Sequence, residues 1–98
     1  MQLWGIVRRN HKIAAQTVAP ADLHGGWTLD ALQEGVGEVC QLLDLSRPIL
    51  MEKHRAEMEK FGRTVFKQAD FVEPISFDAL EIEQLDDKRM KPEDKKRR

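Results

Sequence analysis

Residues 28–43 read TLDALQEGVGEVCQLL, and this stretch decides the fold prediction. Its apolar side chains recur at helical spacing, while acidic and amide side chains occupy the other faces; the apolar positions are Leu29, Leu32, Val36, Val39, Cys40 and Leu43. Thr28 offers a hydroxyl that can cap a helix, and Trp27 before it can form a hydrophobic staple. The pattern predicts a helix. Gly35 and Gly37 flank the apolar stripe and indicate that another element packs closely against it.

The stretch before this helix predicts a β-hairpin. Residues 3–8 and 13–18 are rich in strand-forming residues, and Asn10 between them tolerates the left-handed backbone of a tight turn. Pro20 should end the second strand, because proline has no amide N–H for the ladder. Gly5 inside the first strand predicts a bulge or a close neighbour across the sheet.

The stretch after the helix has two interpretations. One is a helix over 46–61, capped by Ser46 and ended by Gly62. The other is a strand over 48–53 followed by a short helix. Further along, residues 77–85 alternate apolar and acidic side chains at their centre, which predicts a half-exposed antiparallel strand.

Residues 3–13 and 61–83 contain short sequences that resemble those of one protein family. The matching residues are Leu3-Trp4-Gly5-Ile6-Val7, Asn10-His11-Lys12-Ile13, Phe61-Gly62-Arg63-Thr64, Phe66, Asp70-Phe71-Val72-Glu73-Pro74-Ile75, Phe77-Asp78 and Leu80-Glu81-Ile82-Glu83. They resemble a family of small uncharacterised bacterial proteins, in which a strand-like Pro-Ile-aromatic-Leu sequence follows the first helix. Met51 stands here after Ile49-Leu50 and no aromatic residue is present. The resemblance implies a strand over 48–53, and no activity or ligand.

Together these patterns predict one α+β domain over residues 1–85. Its order is an N-terminal β-hairpin, a helix, a strand, a short helix and a strand, which form a small, mainly antiparallel sheet with helices on one face. The expected core consists of Trp4, Ile6, Leu32, Val36, Val39, Leu43, Phe66, Phe71, Leu80 and Ile82. Residues 86–98 have almost nothing to bury, so a charged, disordered tail is expected there.

Charge and composition narrow the function classes. Residues 1–85 contain nine Lys and Arg against thirteen Asp and Glu, and residues 86–98 contain seven against four, so an acidic body precedes a basic tail. An acidic body argues against a folded surface built to grip nucleic acid. No signal peptide or membrane span is visible, and Cys40 is the only cysteine, so we expect a cytoplasmic protein without disulfides.

Few residues carry a chemical signal. His11, His24 and His54 match no metal-ligand spacing, and we predict no metal and no cofactor. Cys40 lies on the apolar stripe, which favours a core residue over a reactive thiol. The candidate binding residues are Trp4, as a core or interface anchor, and His24, Asp70 and Asp78; the candidate nucleic-acid residues are Lys95, Lys96, Arg97 and Arg98.

Three functions follow, and catalysis is the least favoured. The first is a protein-interaction or adaptor module that binds another protein or a second copy of itself, without a membrane partner. The second is weak nucleic-acid association through the basic tail. The third is a small ligand binder or enzyme that uses Asp70, Asp78 or His24.

Overall fold

The computed structural model describes residues 2–21 and 26–85, and their regular elements are two helices, four strands and a single 3₁₀ turn. In chain order they are β1 (Gln2–Arg9), β2 (Lys12–Pro20), α1 (Leu29–Leu43), α2 (Glu52–Phe61), β3 (Arg63–Phe66), the 3₁₀ turn (Gln68–Asp70) and β4 (Ala79–Leu85). The strands form one antiparallel sheet in the order β2-β1-β4-β3. The predicted α+β class with its mainly antiparallel sheet is confirmed.

Local chemistry explains most element boundaries. Thr28 caps α1, because its Oγ1 accepts the Ala31 N–H at 3.0 Å, as the sequence predicted. Asn10 and His11 form the hairpin turn with φ of 55° and 68°, the left-handed backbone that a two-residue turn requires. Gly62, at φ 73°, ends α2 and leads directly into β3.

The strand expected over 48–53 is wrong, and so is a single helix over 46–61. Residues 45–51 have no regular secondary structure, and α2 begins only at Glu52. The third strand is Arg63–Phe66 instead. The segment is held by loop contacts, since the Ile49 N–H donates to the Asp70 carbonyl at 2.6 Å. Ile49 and Met51 are exposed, so this apolar run does not mark a buried strand.

The core lies between the sheet and the two helices. Its buried members are Leu3, Val7, Ala19, Trp27, Leu32, Val36, Val39, Cys40, Met58, Phe66, Phe71, Leu80 and Ile82. Leu32, Val36, Val39, Phe66, Phe71, Leu80 and Ile82 were predicted, and Leu43 packs against this cluster from its partly buried rim. Trp4 is only half-buried and was assigned to the core wrongly, whereas Ile6 is buried at 3% exposure but lies outside this cluster. Strand alternation turns Leu3, Gly5 and Val7 to the helices and therefore turns Trp4 and Ile6 to the other face.

Gly5 allows α1 to lie close to β1. A Cβ atom added at Gly5 would overlap the Val39 side chain, and one added at Gly35 would lie 2.5 Å from Leu3 Cδ1. The close neighbour predicted at Gly5 is thus Val39. The bulge lies elsewhere, in β2, where the pairing passes from Val7–Ala15 to Arg8–Ile13 and leaves Ala14 without a partner.

We predict that Gly5→Ala lowers the free energy of unfolding by about 1–3 kcal/mol, the usual cost of overpacking a core. In the Gly5→Ala/Val39→Ala double variant the loss should be smaller than the sum of the two single losses, because Val39→Ala vacates the space. Urea denaturation of all three variants measures this coupling.

Gly37→Ala is the matched control. The atoms nearest to its Cβ would be those at the end of the exposed Arg47 side chain, which can move, and alanine favours a helix over glycine. We expect no loss of stability in this variant. Strictly additive losses in the Gly5–Val39 cycle would contradict the proposed overlap.

Candidate functional site

The sheet face opposite the helices forms the first candidate surface. In the described part of the chain no helix covers it. Ile6 is only 3% exposed there, although it is absent from the core cluster. It pairs with Gln16 on one side and Glu81 on the other. Gln16 accepts the Trp4 Nε1–H at 2.9 Å and Glu81 accepts the Arg8 Nε–H at 3.2 Å, so long polar side chains cover Ile6.

The outer edge of β2, which we call the β2 edge, adjoins this face. Residues 13–21 read IAAQTVAPA and contain no charge. Sheet edges are commonly protected by charges, prolines or bulges, because their free backbone groups can pair with another chain. In β2, Lys12 at the strand start, the bulge at Ala14 and Pro20 at the strand end serve that purpose, and the residues between them carry no charge. The opposite edge, β3, is four residues long and begins with Arg63.

A cavity of about 510 Å³ lies beside α2, β3 and the 3₁₀ turn, and we call it the α2–β3 cavity. It is lined by Lys53, Glu57, Phe61, Arg63, Thr64, Val65, Lys67 and Asp70. Glu57 Oε1 accepts a hydrogen bond from the Thr64 hydroxyl, which joins α2 to β3. The lining thus combines three cations, two carboxylates and two apolar side chains.

His54 lies behind this cavity and is fully buried. Its Nδ1 accepts the Met51 N–H at 3.0 Å, so the proton of the neutral ring resides on Nε2. Nε2 faces Asp70 Oδ1 at 3.8 Å, too far for a hydrogen bond, and the ring stacks at 4.3 Å on Phe66. Asp70 Oδ2 accepts the Lys67 N–H at 2.9 Å. His54 and Asp70 therefore tie three chain segments together.

The structure separates the residues that the sequence singled out. Asp70 lines the α2–β3 cavity, whereas Asp78 lines a different one and its Oδ2 accepts the Asn10 N–H at 2.7 Å in the hairpin turn. Trp4 lies half-buried on the open sheet face. His24 and the tail residues Lys95, Lys96, Arg97 and Arg98 lie outside the described residues.

Sequence reasoning missed the importance of His54. It named His54 as one of three histidines whose spacing matches no metal site. Two features of the sequence signalled its role. His54 precedes Met58 by four residues, which places both on one face of a helix. It also follows Met51 by three residues, which allows its ring nitrogen to cap the first turn of that helix.

Cys40 is a core residue, as the sequence favoured. It is 1% exposed, and burial raises the pKa of its thiol to about 11, against the opposing effect of Arg47. A thiol with this pKa is protonated at neutral pH and is a poor nucleophile. Among residues 2–21 and 26–85, no group of three His, Cys, Asp or Glu side chains is placed to hold a metal ion.

No family model, curated protein or solved structure matches this chain. The resemblance of residues 3–13 and 61–83 to small bacterial proteins therefore stays a prediction. The helices of the described residues are also too short or too polar to cross a membrane.

The buried His54 predicts a pH-dependent stability. Desolvation lowers the pKa of this imidazole, with Asp70 and Glu57 opposing the shift and Lys53 adding to it. The unfolded chain then binds the proton more tightly, so stability is complete above the unfolded value of about 6.5 and is lost as the pH falls below it. We expect the free energy of unfolding to decrease between pH 7 and pH 5 by at most about 1.4 kcal/mol per pH unit.

Urea denaturation of the wild type, His54→Gln and His11→Gln across this pH range isolates the contribution of His54 to the pH dependence of the free energy of unfolding. His54→Gln should flatten the dependence, whereas His11→Gln, in an exposed turn, should keep it. An unchanged slope in His54→Gln would show that another group carries the effect.

Proposed function

We propose that this chain is a small protein-interaction module whose β2 edge binds an extended segment of another polypeptide. The observation that carries the proposal is a nine-residue edge strand on the four-stranded sheet that carries no charge after its first residue, Lys12. An added strand pairs through backbone groups, and recognition of this kind needs no catalytic residue or cofactor.

The side chains of β2 support this mode of binding. Ala14, Ala15, Gln16 and Val18 are exposed, and none of them is bulky enough to prevent a second backbone from approaching. Ile13 and Val18 are 44% and 43% exposed. They pair with Arg8 and Trp4, which places them on the open sheet face. A bound strand with apolar side chains on that same face would bury both of them.

Trp4 and Arg8 extend the surface beyond the edge. Each is already held by a partner on a neighbouring strand, Gln16 and Glu81, so both are positioned before a ligand arrives. Preorganised side chains lose little conformational entropy on binding, which favours affinity. The partner is a separate protein or a second copy of this chain. Nucleic-acid association through residues 86–98 stays a prediction, because those residues lie outside the described ones.

A selected peptide tests the β2 edge. We expect random nine-residue peptides displayed on phage to yield binders with apolar or β-branched residues at alternate positions. The double variant Ile13→Lys/Val18→Lys should weaken the best peptide at least about tenfold in fluorescence polarisation, because charges on an edge strand oppose pairing.

The matched control is Ile49→Lys/Val72→Lys. It introduces the same two charges at exposed apolar residues outside the sheet, 48% and 80% exposed in the wild type. This variant should bind the peptide like the wild type. Equal binding by the Ile13/Val18 variant, or no enriched peptide at all, would refute the proposal.

A further inference from the structure

We propose that the α2–β3 cavity is a binding site for a small anion that carries an aromatic ring, either an aryl phosphate or an aryl carboxylate. This inference is independent of the β2 edge. The cavity's volume of about 510 Å³ lies in the usual range of small-molecule sites, and its lining is polar on one side and apolar on the other.

The cations of the cavity are available to a ligand. Lys53 and Lys67 form no ion pair with any other described residue, and Arg63 faces Glu81 only at 3.7 Å. These three side chains come from α2, from β3 and from the loop after it, so the fold alone brings them to one cavity. The three cations lie close together although residues 1–85 as a whole contain more acidic than basic side chains.

Each of the two carboxylates of the cavity already accepts a hydrogen bond from the protein. Glu57 accepts the Thr64 hydroxyl and Asp70 Oδ2 accepts the Lys67 N–H, whereas Asp70 Oδ1 lies 3.8 Å from His54 Nε2 without a hydrogen bond between them. The free hydrogen-bonding capacity of the cavity therefore lies mainly with donors, and a ligand that matches it supplies acceptors and negative charge.

Phe61 gives the cavity an apolar wall. Phe61 is 67% exposed at the C-terminal end of α2, and Val65 adds a half-buried aliphatic surface nearby. The Lys60 ammonium lies 5.9 Å from the centre of the Phe61 ring and keeps that side of the ring positive. A flat aromatic ligand can stack on Phe61 while its anionic group reaches the cations.

Phenyl phosphate, benzoate and inorganic phosphate are the probes for this site. Titration of the full ¹⁵N-labelled chain, followed by amide chemical shifts, should give saturable changes at residues 53–70. The tighter of phenyl phosphate and benzoate identifies the anionic group. Lys53→Gln/Lys67→Gln should weaken both phosphates about tenfold or more, since two charge-assisted hydrogen bonds are lost.

The Phe61→Ala variant separates the contribution of ring stacking to ligand binding from the contribution of the cations. It should weaken phenyl phosphate about three- to tenfold and leave inorganic phosphate unchanged, because only the stacking contact is removed. Lys12→Gln, at the exposed hairpin end, is the control and should bind like the wild type. Dispersed spectra will verify that each variant is folded. Absence of saturable shifts, shifts spread over other surfaces, or equal weakening by Lys12→Gln would overturn the proposal.

Discussion

The reciprocal contact between α1 and β1 is the constraint on which the other features depend. Val39 of the helix packs over Gly5 of the strand, and Leu3 of the strand packs over Gly35 of the helix. Each glycine receives a side chain from the opposite element, so the helix and β1, one of the two inner strands of the sheet, approach closely. Because strand side chains alternate, seating Leu3, Gly5 and Val7 against the helices directs Trp4, Ile6 and Arg8 outward. The open face is therefore a consequence of how the core is built.

Those elements whose pattern has a single interpretation were predictable from the sequence. The apolar stripe and Thr28 define α1, Asn10 marks the hairpin, and alternation around Leu80 and Ile82 identifies β4. The orientation of β1 was not predictable from hydrophobicity, since Leu3 and Val7 on one face compete with Trp4 and Ile6 on the other. The run 49–51 misled the prediction for a related reason: apolar character alone does not distinguish a buried strand from an exposed connection.

The candidate site was predictable only in part. Asp70 was identified, whereas its partner His54 and the surrounding cations were not. They come from separate elements that approach one another only in the folded sheet. Asp78 resembles Asp70 in sequence, with a phenylalanine beside it, yet it accepts a hydrogen bond in the hairpin turn. The two carboxylates look alike in the sequence, and only the fold shows that Asp70 lines the α2–β3 cavity whereas Asp78 lies beside the hairpin turn.

The strand order has a further consequence for synthesis. β1 and β2 form a local hairpin, but the other neighbour of β1 is β4, with Gln2 opposite Leu85. A nascent chain can form the hairpin early, whereas the second edge of β1 has no partner until β4 has left the ribosome. Contacts so distant in sequence slow folding, because a long loop must close before they form. The hairpin therefore presents two unpaired edges, the outer edge of β2 and the inner edge of β1, until β4 joins the sheet.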